Sequence, residues 1–158
     1  MTSNLTIAVD DLRGPEIAAL LQRHLDLMVE ITPAGSIYAL DLNKLRMPEI
    51  TFWSARLDGQ MVGCVALKEF GAPENRQGEI KSMHTLKELR GQGIARQLVA
   101  HLVGEAKSRG LMTLWLETGK TEGFLSAQKL YEGFGFKPCG PFGDYAFDAH
   151  SFYMTKEL

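Results

Sequence analysis

Apolar residues recur in two rhythms along this chain, and the changes of rhythm mark its elements. Leu5, Ile7 and Val9 repeat every second residue and predict a first strand at 5–9. Ile17, Leu20, Leu21, Leu25 and Met28 repeat at helical spacing and predict a helix that ends before Pro33. Residues 34–48 carry no rhythm beyond a helical turn around 41–46. Two β-rich runs follow, 50–57 and 61–67, joined at Asp58-Gly59, a strong hairpin signal.

The second half repeats a strand–helix unit. Residues 77–85 read as a strand with Glu79, Lys81, Met83 and Thr85 on one face and Ile80, Ser82 and His84 on the other. Ile94, Leu98, Leu102 and Ala106 then form a helical stripe beside Ala95, Val99 and Val103, stopping near Gly110. Residues 111–117 have the unbroken apolar character of a buried parallel strand. Phe124, Ala127, Tyr131 and Phe134 make another helix face, and 151–155 a last strand after the loop at 140–150. A hairpin leading into β-α-β-α-β is an α/β chain, and its 158 residues suit one domain.

Between the strand at 77–85 and the following helix lies Leu89-Arg90-Gly91-Gln92-Gly93-Ile94-Ala95. Two glycines let the backbone approach a ligand closely. The free N–H groups and dipole of the helix start favour an anion, above all phosphate. A Walker A loop is excluded, because Gly93 is followed by Ile94-Ala95 and not by Lys-Ser/Thr. A dinucleotide fingerprint fails as well: Arg96 stands where its third glycine belongs, and the turn lies past the middle of the chain.

Charge and cysteine content narrow the classes further. A net charge of −2 with no basic tract argues against nucleic acid. No apolar run approaches the roughly 20 residues of a membrane span, and the N-terminus lacks a signal-peptide layout. Cys64 and Cys139, each in strand-like sequence, read as reduced thiols of a cytoplasmic protein. No Cys/His cluster offers a metal site.

The residues that do form a pattern are Arg90-x-x-Gly93-x-Ala95 and, one strand later, Ala127-x-x-x-Tyr131-x-x-x-Gly135-Phe136. Together, in this order, they resemble the two signatures of the GNAT superfamily, the Gcn5-related N-acetyltransferases, and the likeness runs from about Glu49 onward. The stretches Glu79-Ile80-Lys81-Ser82-Met83-His84-Thr85, Leu116-Glu117-Thr118-Gly119 and Gly140-Pro141-Phe142-Gly143-Asp144-Tyr145 are similar to a subgroup of small bacterial acetyltransferases.

The resemblance implies the GNAT fold: a mixed, mostly antiparallel sheet with helices on both faces. Two parallel strands, here 77–85 and 111–117, splay apart to admit acetyl-CoA. It implies that Arg90, Gly91, Gln92, Gly93, Ile94 and Ala95 hold the pyrophosphate. The pantetheine arm would pair along Met83, His84 and Thr85 like an added strand. It gives Tyr131 the role of the acid that protonates the departing thiolate. Relatives often carry asparagine where this chain has Phe124, so the contact made there is either lost or taken over by Ser126.

An amine acceptor arrives protonated. Freeing it near pH 7 costs roughly 4–5 kcal/mol from a pKa of about 10.4, so a base is needed, directly or through water. Glu79, by resemblance, and Glu117, at the end of the facing strand, are the two candidates. His84 is a third titratable group on the same strand. The expected activity is acetyl transfer to a primary amine of a small molecule, amino acids included. Lys81 and Arg46 would then read a carboxylate, and Asp144 or Tyr145 would orient the acceptor. Two rivals stay open: a regulatory module that binds acyl-CoA without turnover, and transfer to a protein amine. A homodimer stays open too.

Overall fold

The computed structural model describes residues 4–31, 42–143 and 145–158. One seven-stranded sheet runs through it in the order β1-β2-β3-β4-β5-β7-β6. Its strands are β1 (Leu5–Val9), β2 (Ile50–Leu57), β3 (Gln60–Ala72), β4 (Asn75–Thr85), β5 (Thr113–Gly119), β6 (Lys137–Cys139) and β7 (Ser151–Glu157). The helices are α1 (Pro15–Ile31), the short α2 (Leu42–Leu45), α3 (Ile94–Ser108) and α4 (Leu125–Gly133). Every pairing is antiparallel except β4 with β5. This is the mixed, mostly antiparallel α/β sheet expected from the sequence.

Opposed residues on neighbouring strands share a face, so the register shows what each face carries. A Cβ added to Gly63 of β3 would press on Leu98 and Ile94 of α3. The next residue, Cys64, lies opposite His84, which meets His24 of α1. Helices therefore cover both faces. Leu98, Val99, Leu102 and Ala106 of α3 are fully buried, so the stripe read from the sequence is the core contact.

Two elements depart from the sequence reading. The β3–β4 hairpin extends well past residue 67, because backbone pairing continues through the polar run Lys68–Gln77 that shows no apolar alternation. The three-residue β6 was too short to leave a rhythm. In α1, Leu25 is 38% exposed although it falls on the expected apolar stripe; Ile17 and Leu20 carry the burial.

The faces of β4 need correction. Lys81 pairs with Ala66 and His84 with Cys64, so three steps on β4 match two on β3. This is a bulge, with Ser82 in the left-handed region at φ 53°. It inverts the alternation. His84 joins the face of Glu79 and Lys81, while Thr85, opposite Gly63, joins the face of Ile80.

Candidate active site

The parallel pairing of β4 and β5 is brief. It begins at Gln77 with Thr113 and stops at Ile80 with Leu116. Beyond that pair Lys81–Thr85 and Glu117–Gly119 run on without partnering each other, and the backbone groups between them are left for something else. A cavity of about 610 Å³ opens at this fork.

One end of the cavity is the glycine turn. Gly91 and Gly93 have φ of 82° and 83°, a region that costs other residues strain, and a Cβ on either would meet no atom within 4 Å. Gly93 is the N-cap of α3 and no side chain caps the helix, so the first amides of α3 remain available. Arg90 and Arg96 both line this end. Deeper in, Thr85 is 8% exposed, and its Oγ1 has no hydrogen-bond partner among the described residues. A buried hydroxyl without a partner is costly, which favours a ligand that brings a polar group to it. Uncapped amides, two arginines, an unpaired strand edge and an orphan hydroxyl fit a phosphate-bearing, amide-bearing chain.

The other end is acidic and aromatic. Glu79 and Lys81, with side chains 7% and 11% exposed, are joined at 2.8 Å. The Tyr145 hydroxyl donates to the same Oε2 of Glu79 at 2.7 Å, and Lys81 Nζ donates to Tyr145 at 3.1 Å. Tyr145 is anchored by rings: it lies 5.1 Å from Phe142 and 5.8 Å from Tyr153, and Phe142 stacks on Trp115 at 5.3 Å. These contacts fasten Phe142 and Tyr145 over β5 and β7, whereas Phe147 is left 77% exposed. Glu117 stands across the fork, its carboxyl pushed up to about 7 by burial, with Ser151 and Lys81 working against the rise. A carboxyl poised there exchanges protons at neutral pH.

Tyr131 of α4 also lines the cavity, 5% exposed and edge-on to Phe136 at 5.7 Å. Burial raises its phenol, which therefore stays protonated and able to donate. His84 meets His24, Nδ1 to Nδ1 at 3.1 Å, so one ring must donate and the other accept. Burial, reinforced by His24 and nearby arginines, lowers His84 to about 3; burial lowers His24 to about 4. A base near pH 7 is not available from this pair.

The cavity lining brings together Glu79, Glu117, Tyr131, Met83, His84, Thr85, Arg90, Gly91, Gly93, Ile94, Ala95 and Ser126. Gln92 does not line it. Arg46 donates to the Leu12 carbonyl at 2.6 Å and is not brought to the cavity, which removes it from carboxylate recognition. Asp144 lies outside the described residues. Phe124 lines the wall and packs over Gly119, where a Cβ would collide with its ring. Sequence reasoning missed the contribution of α1, His24, Leu27, Met28 and Ile31. An amphipathic stripe does not say which of its residues face a sheet and which a cavity. Among the described residues no group of three metal-ligating side chains occurs, and no described helix is long and apolar enough to cross a membrane.

The sequence model described as "Acetyltransferase (GNAT) family" matches residues 17–136, which takes in the glycine turn, the fork and Tyr131. The chain belongs to the GNAT family. It is an N-acetyltransferase, as are the relatives it resembles. The Bacillus subtilis protein described as the uncharacterized N-acetyltransferase YsnE is 48% identical over 152 residues, 96% of this chain and 99% of that one. The Azospirillum brasilense protein named IAA acetyltransferase is 36% identical over 155 residues, 98% of this chain and 99% of that one. The crystal structure of a GNAT family acetyltransferase from Elizabethkingia anophelis, with acetyl-CoA bound, superposes with a TM-score of 0.68 at 19% identity over 98% of this chain and 99% of that one. This last likeness is one of fold.

Proposed function

We propose that this GNAT chain transfers an acetyl group from acetyl-CoA to a primary amine of a small molecule by direct attack. Glu117 accepts the proton and Tyr131 donates one. The observation that carries the reading is the fork beyond Ile80 and Leu116: a single cavity joins the uncapped start of α3 to Glu117 and Tyr131. Acetyl-CoA supplies a thioester carbonyl as the electrophile.

The protein's part follows from its groups. The amides from Ile94 onward, with Arg90 and Arg96, bind the pyrophosphate, and the free edge of β4 and Thr85 Oγ1 hold the amide-bearing arm. Glu117 takes one proton from the incoming ammonium, through ordered water, which frees the nitrogen lone pair to form the C–N bond, and the second nitrogen proton leaves to solvent through the same water as the amide forms. Tyr131 gives its phenol proton to the sulfur as the C–S bond breaks, and solvent exchange restores both residues. Glu117 is favoured over Glu79 because burial raises its carboxyl to about 7, where it can take and release a proton, whereas Glu79 is held in contact with the Lys81 ammonium and the Tyr145 hydroxyl.

The test is release of coenzyme A thiol from acetyl-CoA across a panel of amines and amino acids. IAA is included because of the name of the Azospirillum relative. Glu117→Gln is expected to lower turnover by about 10²- to 10⁴-fold, the usual worth of a general base. Calorimetric binding of acetyl-CoA should stay intact. Wild-type turnover by Glu117→Gln would remove Glu117 from the reaction. Binding without turnover over the whole panel would favour the regulatory module.

A further inference from the structure

Lys81 and Glu117 occupy matching places at the fork. Each is the first residue past the last parallel pair, Ile80 with Leu116, and each continues the face of Glu79 and Trp115. Lys81 and Glu117 therefore stand on one face where the strands part, and both line the cavity. The lysine is not free to swing. It sits in a closed ring of three hydrogen bonds: Lys81 to Glu79 at 2.8 Å, Tyr145 to Glu79 at 2.7 Å, and Lys81 to Tyr145 at 3.1 Å. Its ammonium also lies 5.5 Å from the centre of the Tyr145 ring.

We propose that Lys81, clamped by Glu79 and Tyr145, is a positioning residue whose charge is balanced by Glu79 so that Glu117, across the fork, stays free to gain and lose its proton, and that Glu79 serves the lysine and not the substrate. This rests on Glu117 as the proton acceptor of the proposed reaction.

The charge arithmetic supports it. The ring of three is neutral, one cation and one anion held in contact. Beside it, Glu117 experiences neither a bare positive charge, which would keep it ionised, nor a bare negative one, which would keep it protonated. The other groups facing Glu117 come from β7, Ser151 and Tyr153, and from loop 140–150, Tyr145 and Asp148. Of these only Asp148 carries a charge near neutrality. Lys81 is thus the one cation that acts on Glu117 in this set, and its reach is fixed by its clamp.

The experiment is ¹³C NMR titration of the whole protein labelled at the glutamate carboxyl carbons, with the Glu117 resonance assigned by its absence in Glu117→Gln. The wild-type midpoint is expected near 7, where burial places it. Glu79→Gln leaves the lysine uncompensated and moves the midpoint down by about one pH unit; Lys81→Met leaves the glutamate uncompensated and moves it up by about as much. The double variant restores neutrality and the wild-type midpoint, and Lys81→Arg, which keeps the charge, holds it as well. Circular dichroism identifies any single variant that fails to fold; the shift in the other single variant then decides, with the double variant and Lys81→Arg as its controls. Single variants that leave the midpoint unmoved or move it in the same direction overturn the proposal, as does a Lys81→Arg midpoint that follows Lys81→Met. The acid limb of kcat/KM for thiol release gives a separate readout. A limb that tracks the NMR midpoint supports the whole scheme. A limb that stays fixed while the midpoint moves leaves Lys81 in its role and removes Glu117 as the base.

Discussion

Tyr131 and the His24–His84 pair show burial holding ionisable groups in their neutral forms. The buried phenol keeps its proton, which an acid needs, and Tyr131→Phe removes that proton with little change in volume. The expected result is a fall in kcat of about 10²-fold or more with KM for acetyl-CoA nearly unchanged, checked by steady-state kinetics. The two imidazoles are likewise kept neutral, lowered to about 4 and about 3 by burial, against about 6.5 in an unfolded chain. The unfolded chain therefore takes up protons that the folded one refuses. Stability is full above pH 6.5 and falls as pH drops toward those lower values, by up to about 1.4 kcal/mol per pH unit for each ring. Glu117, raised in the fold, acts the other way, its contribution being lost as pH rises through about 7. Melting curves from pH 7 down to pH 5 in a Glu117→Gln background should therefore decline. The same curves with His24→Gln and His84→Gln added should be flatter, and an equal slope would remove the pair from the acid response.

At the scale of the element, β4 decides the geometry of the site through one residue of backbone. Ser82 is a non-glycine residue at φ 53°, and its carbonyl accepts the Cys64 thiol at 3.3 Å. The bulge places Lys81 and His84 on one face and leaves Thr85 on the other. Ser82→Val puts a β-branched side chain in a left-handed conformation and should cost about 1–3 kcal/mol in urea unfolding. Ser82→Gly should cost nothing or stabilise by up to about 1 kcal/mol. Equal losses in both would mean that the hydroxyl, and not the backbone angle, matters. The sequence did not announce this bulge. Its signal is a single serine in a run that alternates acceptably without it, and the register against β3 alone exposes the extra residue. The glycine turn is the opposite case. Gly91 and Gly93 need positive φ, and a pair of glycines before a helical stripe says so directly.

For the whole molecule, the fork implies that ligand binding and folding are linked. A ligand bridging β4, β5 and the start of α3 binds only the folded chain. At about 100 times its dissociation constant it adds about 2.7 kcal/mol, roughly 5–10 °C in Tm for a domain of this size. Acetyl-CoA should produce that shift in a thermal melt. Gly93→Glu, which sets a carboxylate at the open start of α3, should abolish it. Gly93→Asn, which tolerates the left-handed backbone, should keep most of it. A shift that survives Gly93→Glu would put the phosphate end elsewhere.

The amino-acid sequence by itself determined the α/β order of elements, the glycine turn at the head of α3, and the family through Arg90-Gly93-Ala95 and Tyr131-Gly135-Phe136. These depend on local backbone needs and on periodicity, which neighbouring residues carry. Only the tertiary structure decided what surrounds each carboxylate. Glu79 and Glu117 look alike as strand glutamates, but Glu79 is engaged by Lys81 and by Tyr145, 66 residues away, while Glu117 lies in a half-buried pocket that raises it to about 7. It also decided that Arg46 turns to Leu12 and that α1 walls the cavity. Long-range pairing and desolvation depend on residues distant along the chain, so no local pattern records them.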